Sequence, residues 1–353
     1  MTSTNNSQPT TNNSVSMAVI GAGAMGRNHL RVLNDLALVE LVGVADADLV
    51  TAENAAKRLR IASYGDYREM LDRARPTAVV VAVPTILHRE VVLEVVARGM
   101  HVLVEKPIAF TVEEGVEMIE AARAAGVILT VGHIERYNPA IVELHRRLRE
   151  EKALGRVFQM HARRLGPFPP RVRDVGVVID LATHDIDIMR FLSGSEVERV
   201  SAETARRIHT EHEDLLSGLL RFEDDSIGVL DINWLTPTKI RELMITGEKG
   251  MFHVNYLTQD LFFYRNDHTS SEWDTISTIK GVSEGEMVRL RIEKSEPLKI
   301  ELERFVRAVQ GEDVMLVSGE DGLAALRVAR SLVEAGVEGK VIKPGGGGQF
   351  GPV

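Results

Sequence analysis

The sequence predicts an α/β domain with a doubly wound parallel sheet, followed by an α+β domain with a mostly antiparallel open sheet. Three observations carry this. Short β-branched runs alternate with longer helical stretches up to about residue 150. A glycine-rich turn separates the first run from the first helical stretch. Past Gly155 the texture changes to strand-like runs divided by turn signals. Strands of about four to eight apolar residues alternating with helices imply βαβ units, which right-handed crossovers wind doubly. Strands that follow one another through tight turns imply an antiparallel or mixed sheet.

The first set of runs is Ser16–Ile20, Leu38–Ala45, Ala78–Val83, His101–Val104 and Val127–Val131. Helical stretches such as Met25–Asp35, Leu49–Leu59, Arg89–Arg98 and Val112–Ala125 lie between them. After Gly155 comes one helix-like segment, Val178–Leu192. The runs Val197–Thr204, Leu215–Phe222, Ser226–Leu235, Arg241–Thr246 and Met251–Tyr256 follow, with turns at Glu223-Asp224-Asp225 and Glu248-Lys249-Gly250. Helices are expected over Pro297–Gln310 and Glu320–Ala335. The expected organisation is a disordered tail over 1–15, a nucleotide-binding domain over 16–150, a substrate and oligomerisation domain over 151–340, and a flexible tail over 341–353.

A chain of 353 residues suffices for about two domains. The formal charge of -9 disfavours nucleic acid as a partner. The absence of cysteine excludes disulfides, thiol nucleophiles and cysteine-ligated zinc, and fits a reducing cytoplasm. No apolar run approaches the roughly 18 residues of a membrane helix, so no membrane partner is expected. The first 15 residues lack the charged start and apolar stretch of a signal peptide, and Met17 could itself be the start.

The segment Val19-Ile20-Gly21-Ala22-Gly23-Ala24-Met25-Gly26 matches GxGxxG in its required context, after a strand and opening a helix. Gly21 permits the tight turn, Gly23 lets the backbone approach a pyrophosphate, and Gly26 allows close helix–strand packing. With Ala24 and Met25 they form the expected Rossmann cofactor loop, the pyrophosphate sitting on the helix N-terminus. Asp46 lies 20 residues past Gly26 at the end of the second strand. A carboxylate there accepts from ribose hydroxyls and repels a 2′-phosphate, so NAD is expected over NADP, although Arg27 nearby could serve that phosphate. No tyrosine is followed four residues later by lysine, and no GxxxxGK[ST] occurs, which removes short-chain dehydrogenases and P-loop proteins.

Glu105-Lys106-Pro107 follows the strand-like run His101–Val104 and puts Lys106 at the carboxyl edge of the sheet, where open α/β folds bind ligands. A proline after that lysine permits a cis bond that would fix its direction. A lysine whose ammonium form is disfavoured can hydrogen-bond or deprotonate a hydroxyl near neutral pH. Asp180, His184 and Asp187 share one stripe of a predicted helix among apolar neighbours. A carboxylate one turn before a histidine orients the imidazole and raises its basicity. A structural pair is the plainer reading of that segment, and a metal site lacks further ligands, so none is expected.

Taken together, the glycine loop, Glu105-Lys106-Pro107 and Asp180…His184 resemble the glucose–fructose oxidoreductase/inositol dehydrogenase/rhizopine catabolism (Gfo/Idh/MocA) family over about residues 16–340. The resemblance implies that Lys106 and His184 face the reacting sugar carbon, one as proton acceptor and one polarising the hydroxyl, with Asp180 orienting. It also implies that Pro84, His88 and Glu105 border the cofactor. The segment Gly132-His133-Ile134-Glu135-Arg136-Tyr137-Asn138-Pro139 is similar to the nucleotide-sugar branch, as are Asp174–Asp180 and Asn233–Lys239. His161–Arg173 carries four arginines in an acidic protein, which suits a diphosphate. Arg136, Tyr137, Asn138, Arg163 and Arg164 are therefore expected at the substrate with Lys106 and His184.

The implied reaction is NAD-dependent oxidation of the C3 hydroxyl of a UDP-N-acetylhexosamine, UDP-N-acetylglucosamine first, with an aminotransferase downstream. A 3-ketoreductase on a deoxysugar nucleotide, a free-sugar or inositol dehydrogenase, and a non-catalytic NAD-binding regulator stay open as alternatives. The resemblance implies an oligomer formed through the exposed face of the second sheet, and a homotetramer is expected; its support in the sequence is the run Ile227–Trp234, whose apolar residues could fill two faces.

Overall fold

The computed structural model describes residues 14–169, 175–208, 211–266 and 285–345. By contact the chain divides into two compact units. One comprises the chain up to Val104, Ala121–Thr130 and Leu302–Leu316; the other comprises Glu105–Glu120, Val131–Glu301 and the chain from Val317 on. A single boundary near residue 150 therefore does not separate them.

The first sheet uses β1 (Val15–Ile20), β2 (Val39–Ala45), β3 (Ala62–Tyr64), β4 (Ala78–Val81), β5 (His101–Glu105) and β6 (Leu129–Gly132). It is parallel, in the order β3-β2-β1-β4-β5-β6, with the reversal between β1 and β4 that marks double winding. All four residues of β4 are buried, as a strand covered on both faces requires. Helices α1 (Ala24–Asp35), α2 (Leu49–Leu59), α3 (Tyr67–Ala74), α4 (His88–Ala97) and α5 (Val112–Ala125) supply the crossovers. Asp48 and Asp66 cap α2 and α3 through their side chains. Strand β3 and helix α3 have no counterpart in the sequence reading: β3 is three residues long, too short for alternation to register.

Helix α6 (Pro139–Arg149) begins with proline after an Asn138 cap, the favoured order for a helix start. The second sheet has eight strands: β7 (Val157–Pro167), β8 (Val197–Ala205), β9 (Leu215–Phe222), β10 (Ile227–Asn233), β11 (Leu235–Gly247), β12 (Gly250–Asn255), β13 (Asp260–Arg265) and β14 (Met287–Leu290). Their order is β14-β13-β12-β11-β7-β10-β9-β8, antiparallel except for the parallel pair β7–β10. This is the mostly antiparallel open sheet that the sequence predicts.

Most of the arginine-rich segment expected to join a strand to the His184 helix is β7 itself, and Arg171 and Arg173 lie outside the described residues. Thr236–Lys239 bulges out of the β11–β7 register, between the pairs Leu235–Pro167 and Ile240–Leu165. Helix α7 (Thr183–Ser193) follows a π-helical turn at Val178–Ala182, and α8 (Pro297–Val309) and α9 (Gly319–Glu338) close the chain.

The expected tail from 341 is ordered at its start, where Ile342 and Val200 exchange backbone hydrogen bonds of 2.8 and 2.9 Å. Residues 1–13 and 346–353 lie outside the described residues, and Val15 already belongs to β1. No helix among the described residues is long and apolar enough to cross a membrane.

Candidate active site

In the first unit, the glycine loop is shaped for a group that approaches its backbone. Gly21 has φ +96°, and a Cβ there would stand 2.3 Å from the Ala82 carbonyl oxygen. A Cβ on Gly26 would stand 1.8 Å from the Gly21 carbonyl oxygen, so α1 packs on the loop only without a side chain. Gly23, in contrast, is exposed, and its Cβ would meet nothing within 4 Å: its absence leaves room for a ligand. Gly23 caps α1 with no side-chain bond, which leaves the first helical N–H groups and their positive end open. Ala24 and Met25 form the accessible first turn.

Asp46 accepts from the Ala22 N–H at 2.7 Å and the Asp48 N–H at 2.9 Å, so its carboxylate is anchored beside the loop. Arg27 reaches back to the Ala22 carbonyl at 2.9 Å. Pro84 is exposed at the start of a 3₁₀ turn after β4. His88 differs from expectation. It is 1 % exposed, and its Nε2 lies 3.0 Å from the Val83 carbonyl, so it braces that turn from inside. The residues present fit a dinucleotide: a pyrophosphate cradle, an open helix N-terminus and a ribose-binding carboxylate.

The second unit gathers the other candidates. Lys106 follows β5 directly, and the Lys106–Pro107 peptide is cis. Glu105 accepts from the Lys106 N–H at 3.2 Å, and Gly132 makes room for its carboxyl, 3.3 Å from where a Cβ would stand. The Lys106 ammonium donates to the Asp180 carbonyl at 2.7 Å and to Asp180 Oδ1 at 2.9 Å. Asp180 was expected to orient His184; instead it holds the lysine. The reason is the π-helical turn at Val178–Ala182, whose wider winding breaks the i, i+4 alignment assumed for an α-helix.

His184 opens α7 with its Nδ1 buried and without a hydrogen-bond partner, while the residue as a whole is partly exposed. Burial holds its imidazole well below the ordinary range, and the Lys106, Arg164, His133 and Arg241 charges push the same way. His133, which the sequence reading did not place at the site, stands edge-on to His184 with centroids 6.3 Å apart. It is 1 % exposed and neither ring nitrogen has a hydrogen-bond partner. Burial lowers its pKa too, against the opposing pull of Asp187.

The sign of the resulting pH dependence is fixed. The unfolded chain takes up a proton at each histidine near pH 6.5, and the native protein does not. Stability is therefore full above about pH 6.5 and falls below it, by up to about 1.4 kcal/mol per pH unit per histidine. Urea midpoints measured between pH 7.5 and 5.5 should show this fall, and His133→Asn should make it shallower. An unchanged slope in that variant would mean His133 is charged in the native state.

Successive residues of α7 divide their tasks by the 100° that an α-helix turns per residue. Asp185 and Asp187 project to either side of His184, and each takes an arginine. Arg136 binds Asp187 through two bonds, Nη2 at 2.6 Å and Nε at 2.8 Å, and Asp321 at 3.1 Å. Arg164 binds Asp185 at 2.6 and 3.1 Å and Glu135 at 3.1 Å. Burial works against both guanidinium charges, yet the adjacent carboxylates raise both pKa values overall. These two clamps stop α7 from turning about its axis and so fix where His184 points.

The expected substrate residues separate accordingly. Arg136 and Arg164 are each 4 % exposed and committed to carboxylates, so they act as internal struts. Arg163 lies on the opposite face of β7 from Arg164, as strand alternation requires, beside Asp231 and Glu242 at 3.6 Å each. Asn138 is buried, capping α6 and donating to the Tyr256 carbonyl at 3.1 Å. Tyr137 is 1 % exposed and belongs to the core. Asp185, Asp187 and Arg241 were not among the expected site residues; only Asp187 carried a signal, through its place on the Asp180–His184 stripe. No group of three or more potential metal ligands occurs among the described residues.

A glycine cradle built for a dinucleotide, with a lysine and a neutral histidine in the second unit, defines an NAD-dependent oxidoreductase. Residues 15–133 match the oxidoreductase family with an NAD-binding Rossmann fold, and residues 142–253 match the GFO/IDH/MocA C-terminal domain. The chain is 30% identical to the UDP-N-acetylglucosamine 3-dehydrogenase of Acidithiobacillus ferrooxidans, over 90% of this chain and 96% of that one. It is 34% identical to inositol 2-dehydrogenase 2 of Saccharopolyspora erythraea, over 62% of this chain and 63% of that one. The solved structure of UDP-N-acetylglucosamine 3-dehydrogenase GnnA from Acidithiobacillus ferrooxidans superposes with a TM-score of 0.81 at 25% identity, covering 91% and 97% of the two chains. The chain belongs to the Gfo/Idh/MocA oxidoreductase family.

Proposed function

We propose that this protein oxidises the C3 hydroxyl of a UDP-N-acetylhexosamine, UDP-N-acetylglucosamine first, to the 3-keto sugar. The observation that carries the chemistry is the pairing of unlike groups: a lysine ammonium held by Asp180 at 2.9 Å, and a histidine that its surroundings keep neutral. Bound NAD supplies the hydride acceptor. His184, as a neutral imidazole, accepts the hydroxyl proton. Lys106 keeps one N–H beyond its two bonds to Asp180 and donates it to the substrate oxygen, where negative charge develops. One C–H and one O–H bond break, a C=O bond forms, and one proton is released with the reduced cofactor.

The substrate reading is supported by the 30% identity over nearly the whole chain to a protein named for that reaction. The 34% identity to an inositol 2-dehydrogenase over a shorter span favours a polyol as the second reading. The 3-keto sugar is the class of product that a pyridoxal-phosphate aminotransferase takes. A homotetramer formed through the outer face of the second sheet is supported by Leu219, half exposed on β9.

Absorbance of NADH, followed with NAD and either UDP-N-acetylglucosamine or myo-inositol, tests the assignment. Turnover with the nucleotide sugar is expected. Turnover with inositol alone would replace the first reading by the second, and binding of NAD without turnover of any sugar would point to a regulator.

A further inference from the structure

Strand β11 carries an arginine that, unlike Arg136 and Arg164, is not matched by carboxylates. Arg241 pairs directly across from Arg164 in the antiparallel β11–β7 register, so the two side chains share one face of the sheet. Arg164 meets Asp185 and Glu135 there; Arg241 meets no carboxylate within 4.0 Å among the described residues. Its bonds run from Nη1 alone, to the Leu165 carbonyl at 2.5 Å and the Ile240 carbonyl at 2.9 Å. An arginine has five N–H donors. Nε and both hydrogens of Nη2 therefore remain unspent among the described residues.

Burial pulls the guanidinium down to about 10, and the charge of Arg164 adds to that. An under-neutralised, partly desolvated cation of this kind gains from any anion that reaches it. Arg241 itself is only partly covered by the fold. Gly166 on β7 has no side chain, and a Cβ there would stand 3.6 Å from Lys239 Cγ and 3.8 Å from both Nη atoms of Arg241. The bulge at Thr236–Lys239 brings Lys239 to the same spot, and Lys239 is exposed. The site lies within reach of the reacting groups, since Arg241 is among the charges that hold His184 neutral.

We propose that Arg241, with Lys239 across Gly166, seats the diphosphate of the nucleotide-sugar substrate, the role that Arg136, Arg163 and Arg164 do not fill. This rests on the nucleotide-sugar reading above. A planar fork with three free donors matches the paired oxygens of a phosphate, and Lys239 brings a second cation to the same glycine.

The test is calorimetric titration of UDP, and separately inorganic pyrophosphate, into the NAD-loaded full chain, comparing wild type with Arg241→Gln and Arg241→Lys. Wild type is expected to bind UDP. Arg241→Gln should weaken UDP binding about 10- to 100-fold, and Arg241→Lys less, with thermal midpoint and NAD affinity unchanged. In turnover, Arg241→Gln should raise KM for UDP-N-acetylglucosamine by a similar factor, well beyond any change in kcat. Equal UDP binding in all three proteins, or binding of neither UDP nor pyrophosphate by wild type, would overturn the seat even if the sugar is oxidised at C3. Arg241-dependent UDP binding without any sugar oxidation would uphold the seat and sink the dehydrogenase reading alone. Binding of pyrophosphate but not UDP would overturn the nucleotide part of the assignment.

Discussion

Replacing Lys106 by methionine is expected to lower kcat about 100- to 10,000-fold while NAD binding stays intact. The ammonium is held by Asp180 at 2.7 and 2.9 Å, so its remaining donor is aimed before substrate arrives. A second, more specific effect should accompany the loss. After burial, the Lys106 charge is the first cause of His184's lowered pKa. Removing that charge raises the pKa of His184, so the acid limb of the residual kcat/KM profile should move to higher pH. His184→Asn should lose turnover comparably and abolish that limb. A Lys106→Met variant with wild-type kcat would remove the lysine from the chemistry. A large loss with an unmoved acid limb would mean that the lysine acts alone.

Arg136→Ala should be the most destabilising single change among the expected substrate residues. It strands the Asp187 carboxylate, 0 % exposed, without its two charge-assisted bonds. Removing one partner of a buried pair costs about 3–5 kcal/mol, chiefly because the other charge stays buried. At about 2–4 °C per kcal/mol for a domain of this size, calorimetry should show a drop of roughly 6–20 °C. The double variant Arg136→Met, Asp187→Leu should recover part of it, since apolar replacements remove the stranded charge. It should not recover turnover, because α7 would then lack one of the two clamps that fix His184. If Arg136→Ala kept its thermal midpoint and raised KM for the nucleotide sugar instead, Arg136 would be a substrate ligand, as its sequence neighbourhood suggested.

Local signals in the sequence determined much of this protein. The glycine loop could be placed because strand, turn and helix are contiguous and each glycine answers a local steric demand: Gly21 its positive φ, Gly26 the carbonyl beneath it. Asp46 followed from spacing along one βαβ unit. The strand runs β9 and β12 were visible because side chains alternate between faces. Lys106 stood out at the end of a strand, and His184 as part of a polar stripe within an apolar helical segment.

Only the tertiary structure decided which charges are spent and which are free. Arg136 finds Asp187 and Asp321 at sequence distances of 51 and 185 residues, and Arg164 finds Asp185 across a packed interface. A linear pattern rich in arginine reads as an anion site, but it cannot show that buried carboxylates from other elements have already taken those arginines. The π-turn that hands Asp180 to Lys106 instead of His184 is likewise invisible, because Val178–Ala182 carries ordinary helical residues. Arg241, one cation in an alternating strand, had no signal at all: its free donors exist only because the strand opposite and its own strand each supply one backbone carbonyl to one nitrogen, and no carboxylate reaches the others. Local sterics and periodicity are written along the chain, whereas charge neutralisation depends on which distant groups share a buried volume, and folding alone sets that.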